Sequence, residues 1–316
     1  MSVIDPVILF FLLGLAARLL RSELRLPAAV YELVSMLLLL AIGLKGGIEL
    51  AKQPLAYLLP QVAAVIAMGL LLPLLAFPVL LYVGRLKRAD AASIAAHYGS
   101  VSVATYAVAT AWFANRQIDF EAHMPLLLAV LEVPAILVGI VLARGLSRQM
   151  PLGAVAHEVF LGKGIVLLVG GLLIGWVAGP DGVESIKPLF FDLFKGILAL
   201  FLLEMGLITA AQFDSLRRHG AFLVGFGIAM PLFSSLIGAA LGLALGLSVG
   251  GTAMLAILAA SASYIAVPAA MRISVPEANP TLSLAAALGV TFPFNVLVGI
   301  PLYYALAQRA HAFLGG

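Results

Sequence analysis

The sequence contains no cysteine, and only 10% of its 316 residues are charged. The absence of cysteine excludes disulfide frameworks, thiolate nucleophiles and cysteine-ligated metal sites. Water-soluble domains carry about 25% charged residues. A chain with 63% hydrophobic residues and a mean hydropathy of +1.14 has too little polar surface to cover a globule. The composition therefore predicts a polytopic membrane protein.

Motifs that mark enzymes and nucleic-acid-binding proteins are missing as well. The 5 histidines and 15 acidic residues show no metal-ligand spacing of the HExxH kind, and the chain has no glycine-rich phosphate loop. The 18 Lys and Arg residues are scattered between apolar segments, which argues against nucleic acid as a partner. We therefore expect neither an enzyme nor an organic cofactor.

Ten apolar segments are long enough to cross a bilayer as helices, which takes roughly 20 residues for about 30 Å of hydrocarbon. Strands of a membrane barrel would alternate apolar and polar residues, and these leucine- and alanine-rich runs do not. We predict an all-α integral membrane protein. The predicted spans are residues 4–20, 30–50, 55–83, 89–113, 122–143, 162–178, 188–211, 221–247, 250–271 and 281–308.

The distribution of basic residues predicts the orientation. If the N-terminus lies outside, twelve of the 18 Lys and Arg residues fall in cytoplasmic loops and six on the outer side or within spans. This excess obeys the positive-inside rule, so we predict a multi-pass protein with both termini extracytoplasmic. The predicted cytoplasmic residues are Arg18, Arg21, Arg25, Arg85, Lys87, Arg88, Arg144, Arg148, Lys163, Arg217, Arg218 and Arg272.

Short motifs recur in the same order at a spacing of about 160 residues, half the length of the chain. With five spans in each half, the halves must cross the membrane in opposite directions, and an inverted repeat is typical of secondary transporters that work by alternating access. We predict two repeats, residues 1–150 and 151–316. The matching motifs are 42–44 with 205–207, 99–102 with 260–263, 132–134 with 291–293, and 138–140 with 298–300.

Two serine-containing stretches lie near the middle of predicted spans 4 and 9. In such transporters broken helices expose backbone N–H groups at mid-membrane, and these favour an anion. Small residues also allow close helix packing, so a packing role is the alternative. The predicted substrate contacts are Gly99, Ser100, Ser102, Ser261, Ala262 and Ser263.

Glu132 is the most informative charge, because it lies mid-span beside Pro134. A lone carboxylate there costs several kcal/mol unless a cation or a partner offsets it. We interpret it as a sodium ligand or a proton carrier; the alternative is a protonated side chain or a helix cap. His97 is expected to be a packed histidine rather than a ligand. The predicted sodium ligands are Glu132, Ser102, Thr105, Thr291 and Asn295.

Several of these motifs together resemble the sodium-dependent bicarbonate transporters best known from cyanobacteria. The resemblance implies ten spans in two inverted halves, a homotrimer, and sodium-coupled bicarbonate uptake at the bacterial plasma (inner) membrane. It also implies a core of spans 3–5 and 8–10 that moves against a gate of spans 1–2 and 6–7. The motifs are residues 42–47, 99–102, 261–263 followed by Pro268, 272–280, 299–302 and 306–308.

By motif position, the resemblance assigns anion contacts to the four serines of the two stretches and a sodium-side carboxylate to Glu132. Tyr264 stands where cyanobacterial members have an acidic residue. The second half of this chain therefore lacks the carboxylate that those members have at this position. The link of about 18 residues from Arg144 to Leu161 is much shorter than in those members. This weakens the expectation of regulation by a small PII-like protein.

The leading hypothesis is a sodium-coupled symporter that imports bicarbonate. Its partners would be bicarbonate, co-transported sodium and the lipid bilayer. One alternative is a carrier of another small monocarboxylate or inorganic anion. A second is an uncoupled anion channel, which would need a continuous polar pore and no ion coupling.

Overall fold

The structure is a computed structural model that describes residues 5–145 and 152–314. Helices make up 82% of it, and the described residues form no strand. The predicted all-helical class is therefore confirmed, whereas Arg148 and the predicted boundary between the repeats lie outside the described residues. Seven helices are long and apolar enough to cross a membrane: Ala28–Leu50, Ala56–Val83, Met124–Arg144, Lys163–Gly182, Phe194–Leu216, Ala221–Ala244 and Pro280–Phe313.

The other three segments predicted to be spans contain shorter helices, and whether they cross the membrane stays a prediction. The first span is only 14 residues long, and the fourth and ninth are each divided by a non-helical stretch. The α-helices are α1 Pro6–Leu19, α2 Ala28–Leu50, α3 Leu55–Pro78, α4 Arg88–Gly99, α5 Val103–Ala114, α6 Met124–Leu131, α7 Pro134–Arg144, α8 Leu152–Leu161, α9 Lys163–Gly182, α10 Phe194–Ala211, α11 Phe213–His219, α12 Ala221–Ala244, α13 Val249–Ala259, α14 Ala266–Ser274, α15 Pro280–Ala286, α16 Phe292–Phe294 and α17 Ile300–Leu314.

Local sequence signals explain where several helices begin. Asp5 caps α1 by accepting a hydrogen bond from the Val7 N–H at 3.0 Å, and proline follows at the first helical position. Ser248 and Asn279 cap α13 and α15 in the same way. A polar cap satisfies one of the free N–H groups at a helix start, and proline has none to lose. These caps therefore determine where the helices begin, which the apolar composition of the helices alone does not.

Glycines allow two pairs of helices to touch through their backbones. Helix α2 packs on α9 and α1 on α10. A Cβ atom added at Gly175 would lie 2.2 Å from the Leu44 carbonyl oxygen, and one added at Gly206 would lie 2.2 Å from that of Phe11. In a membrane the hydrophobic effect does not drive helices together, and small residues stabilise helix pairs by letting the backbones approach closely.

The two divided spans lie at the centre of the remaining helices. Helix α4 packs between α3 and α7, and α13 packs between α12 and α17. From Asp90 to Gly99, and from Gly250 to Ala259, every residue is buried. A helix buried on all sides is expected at the core of a membrane protein.

Polar contacts at the ends of the divided spans show that they run in opposite directions. At one end, the start of α4 meets the residue that follows α14, because Asp90 accepts a hydrogen bond from the Asn279 N–H at 2.7 Å. At the other end, Glu121, in the loop after α5, accepts one from the Ser248 N–H at 2.6 Å, just before α13. Helices α5 and α14 thus begin at mid-span and extend toward opposite faces.

Candidate functional site

The two non-helical stretches cross and are joined by hydrogen bonds. Ser100 and Ser102 have extended backbone conformations between α4 and α5. The Ser102 N–H donates to the Ser261 hydroxyl at 3.0 Å, and the Ser263 N–H donates to the His97 carbonyl at 2.9 Å. The two predicted serine stretches therefore meet in one site.

Two of the four serines use their hydroxyl protons within the protein. Ser100 donates to the Glu132 carbonyl at 3.3 Å, and Ser261 donates to the Leu258 carbonyl at 2.8 Å. A serine hydroxyl has one proton to donate. These two side chains therefore hold the backbone of the site in place.

The other two serines only accept hydrogen bonds. The Ser102 hydroxyl caps α5, accepting from the Thr105 N–H at 3.1 Å and from the Thr105 hydroxyl at 3.0 Å. The Ser263 hydroxyl accepts from the Val267 N–H at 3.4 Å. Both keep a proton that can be donated to an anion.

Ser102 and Ser263 face a small cavity at the crossing. Its volume is about 20 Å³, which is enough for one water-sized occupant. The helices that begin here, α5 and α14, direct their N-terminal N–H groups toward the crossing, and helix N-termini favour negative charge. The lining residues are Leu39, Val101, Ser102, Val103, Glu132, Gly164, Ser263, Tyr264, Ile265 and Ala266.

Glu132 lines this cavity and is only 4% exposed. It lies between α6, which ends at Leu131, and α7, which begins at Pro134. Proline cannot continue a helical hydrogen-bond ladder, so the carboxylate lies at an interruption of the span. Its Oε2 atom is buried and makes no hydrogen bond with any described residue.

The predicted sodium ligands are only partly brought together. Glu132 and Ser102 line the cavity, and Thr105 is bonded to Ser102. Thr291 instead donates to the Gly227 carbonyl at 2.7 Å and contacts the Tyr98 hydroxyl. Thr291 is not among the residues that line the cavity.

Asn295 holds the backbone next to the second stretch and does not line the cavity. Its Nδ2 atom donates to the Ala260 carbonyl at 2.8 Å, and its Oδ1 accepts from the Tyr303 hydroxyl at 2.8 Å. Of the remaining predicted contacts, Gly99 packs against Pro73, where a Cβ atom would lie 2.4 Å from Pro73 Cδ. Ala262 is buried.

Two side chains gain importance only in the structure. Tyr264, noted in the sequence for its difference from cyanobacterial members, lines the same cavity as Glu132. His97 is buried, as expected for a packed histidine, and its Nδ1 donates to the Ser263 carbonyl at 2.6 Å. The only sequence signal for a role of these two residues at the crossing is their position next to a stretch of small residues.

A larger cavity of about 670 Å³ lies beside the crossing, between α2, α5 and the start of α10. Its wall includes Tyr106, one helical turn beyond Ser102, and Thr110 after it. Lys45 and Lys195 also line it. Because Glu49, Asp119 and Asp192 line it too, the wall of this wide cavity carries charges of both signs.

The described residues contain no group of three or more His, Cys, Asp or Glu side chains that could hold a metal ion. A family model described as the Na⁺-dependent bicarbonate transporter superfamily matches residues 6–308. No curated protein matches the chain.

Proposed function

The chain belongs to the Na⁺-dependent bicarbonate transporter superfamily, and from this premise we propose that it is a symporter that imports bicarbonate together with sodium by alternating access. The observation that carries the proposal is the crossing of the two non-helical stretches. Two helix N-termini, two serine hydroxyls with free protons and an unpaired carboxylate meet there. This set offers donors to a small anion and oxygen ligands to a cation, and the crossing must open beyond its present volume of about 20 Å³ to hold both.

The anion site depends on dipoles rather than on a basic side chain. No Lys or Arg is among the residues that line the small cavity. Ser102 and Ser263 offer hydroxyl protons, and α5 and α14 offer backbone N–H groups with partial positive charge. Such donors suit a small, planar monoanion with several oxygen acceptors, which is the chemistry of bicarbonate.

Sodium coupling follows from charge balance at Glu132. An ionised carboxylate and a bound monoanion would together place two negative charges in a poorly solvated cavity, where they repel each other by several kcal/mol. A cation bound between them offsets this repulsion. Oxygen ligands suit a hard cation, and because the family is described as Na⁺-dependent we assign sodium as that cation.

The packing of helices supports two inverted halves. The motif match pairs Gly43 with Gly206. A Cβ atom added at Gly43 would lie 2.9 Å from the Gly171 Cα. A Cβ atom added at Gly206 would lie 3.1 Å from the carbonyl carbon of Gly14. Equivalent glycines thus make equivalent contacts in α2–α9 and α10–α1. These four helices form the proposed gate, against which the core of spans 3–5 and 8–10 moves.

The alternatives fit the geometry less well. A channel needs a continuous polar pore, whereas the crossing leaves room for about one water-sized occupant. Carriage of a larger organic monocarboxylate would require a wider opening of the same crossing than bicarbonate does. A small anion is therefore favoured.

Labelled bicarbonate uptake into proteoliposomes tests the proposal. With internal and external pH held equal, an inward sodium gradient should accelerate uptake and drive accumulation, whereas a potassium gradient should not. Equal uptake under both gradients would contradict sodium coupling.

The Ser263→Ala variant tests the anion site. Loss of one donor to a desolvated anion should weaken bicarbonate binding by about 1–3 kcal/mol, roughly 5-fold to 150-fold in apparent KM. Ser263 is preferable to Ser102, whose replacement would also remove the cap of α5. Ser235→Ala is the matched control, because Ser235 is buried, donates its proton to the Leu232 carbonyl at 2.7 Å and does not line the cavity. An unchanged KM in the Ser263 variant would refute the assignment.

Single cysteines in this cysteine-free chain test the proposed orientation, with both termini extracytoplasmic. Lys87 and Asp119 are exposed and lie at opposite ends of the span formed by α4 and α5. Lys87→Cys should be protected from an impermeant thiol reagent in intact cells, and Asp119→Cys should react. The opposite labelling pattern would reverse the topology.

A further inference from the structure

Tyr264, like Glu132, lines the small cavity and has a buried polar atom without a hydrogen-bond partner among the described residues. It follows Ser263 in the second non-helical stretch and is 9% exposed. Its ring packs edge-on against Phe292, with centroids 5.8 Å apart, which fixes its direction. The hydroxyl lies close to the Ser102 side chain but makes no hydrogen bond of ordinary geometry with the described residues.

Glu132 and Tyr264 are therefore two unpaired groups that line one cavity. Buried polar groups in folded proteins are almost always paired, so each exception calls for an explanation. The carboxylate supplies negative charge, and the phenol supplies an oxygen with lone pairs and no charge. Together they match a small cation that has lost most of its water.

We propose that the Tyr264 hydroxyl oxygen is a neutral ligand of the cation that Glu132 binds, an inference that rests on the proposed sodium coupling. Glu132 is the one acidic side chain among the residues that line the cavity. With one carboxylate and one neutral ligand, the site balances one monovalent cation when the anion is absent. One sodium then accompanies one bicarbonate, and the transport cycle moves no net charge.

Tyr264→Phe keeps the ring contact with Phe292 and removes the hydroxyl. In proteoliposomes with saturating bicarbonate, the sodium concentration for half-maximal uptake should rise about tenfold or more. At saturating sodium, the apparent KM for bicarbonate should remain within about twofold of the wild type. Tyr304→Phe is the matched control, because its ring lies against Trp112 and Phe113, away from the cavity, and it should leave both values unchanged.

The outcomes separate this inference from the proposed function. A wild type without sodium dependence would refute the symport itself. A sodium-dependent wild type with an unaltered sodium response in Tyr264→Phe would refute only the ligand role. A variant in which the bicarbonate KM rises and the sodium response is unchanged would instead make the hydroxyl an anion donor, and would also overturn the inference.

Tyr264→Asp provides a second, independent readout, because it adds a second carboxylate to the residues that line the cavity. The site should then take a second sodium, so that the sodium response becomes cooperative and uptake increases when a negative-inside potential is imposed with potassium and valinomycin. A folded variant that is active and still insensitive to potential would contradict the charge argument. If this variant does not fold, the Tyr264→Phe measurement alone decides.

Discussion

Glu132→Gln should abolish sodium-stimulated bicarbonate uptake while leaving a folded protein in the membrane. Glutamine keeps the shape of the side chain and removes the charge that holds the cation. The buried Oε2 atom has no protein partner among the described residues, so no ion pair is lost with the charge. We expect at least a hundredfold loss of the sodium-dependent rate, about 2.7 kcal/mol or more, which is within the several kcal/mol by which a carboxylate attracts a nearby cation in a poorly solvated site.

The matched control is Glu184→Gln, because Glu184 is an exposed partner of Lys187 outside the seven long helices. Its sodium response should equal that of the wild type. Size-exclusion chromatography should show both variants intact. If the wild type runs equally well on a proton gradient with sodium absent, Glu132 is a proton carrier and the sodium assignment is wrong.

Gly175→Val should prevent stable assembly of α2 and α9. Because the new Cβ would lie 2.2 Å from the Leu44 carbonyl oxygen, the two backbones must separate along their contact. Overpacking against side chains costs about 1–3 kcal/mol, and a backbone atom cannot move aside as a side chain can. We therefore expect a loss of about 3 kcal/mol or more and little folded protein after extraction in detergent.

Gly170→Val is the matched control for this variant. Gly170 lies on the same helix, and no neighbouring atom lies within 4 Å of a Cβ built there. The change in intrinsic helix preference is the same in both variants, so the difference in thermal unfolding midpoint reports the helix contact alone. Equal midpoints would show that α2 and α9 do not touch as described.

The sequence predicts the helical class and most of the spans because apolar length is a local property. It also places the crossing, since Ser100 and Ser261 lie near the middle of long apolar segments. The interruption at Pro134 was likewise visible beside Glu132. The short first helix, which begins only at Pro6 after the Asp5 cap, was not, because hydropathy does not register a cap.

The roles within the site could not be predicted, because they depend on contacts between distant parts of the chain. Ser100 and Ser102 look equivalent in sequence, but only Ser100 donates to the Glu132 carbonyl, 32 residues away. Thr291 seemed a good cation ligand, yet the structure directs its hydroxyl to the Gly227 carbonyl. Hydropathy and spacing carry no information on which side of a buried helix faces a cavity.

Labelled sodium uptake driven by bicarbonate alone is the most direct test of coupling. Proteoliposomes would be prepared with equal sodium and equal pH on both sides, the potential held at zero, and bicarbonate only outside. The account predicts that sodium accumulates transiently inside, above its external concentration, and that Glu132→Gln vesicles show no accumulation. Sodium entry that is the same when chloride replaces bicarbonate would contradict it.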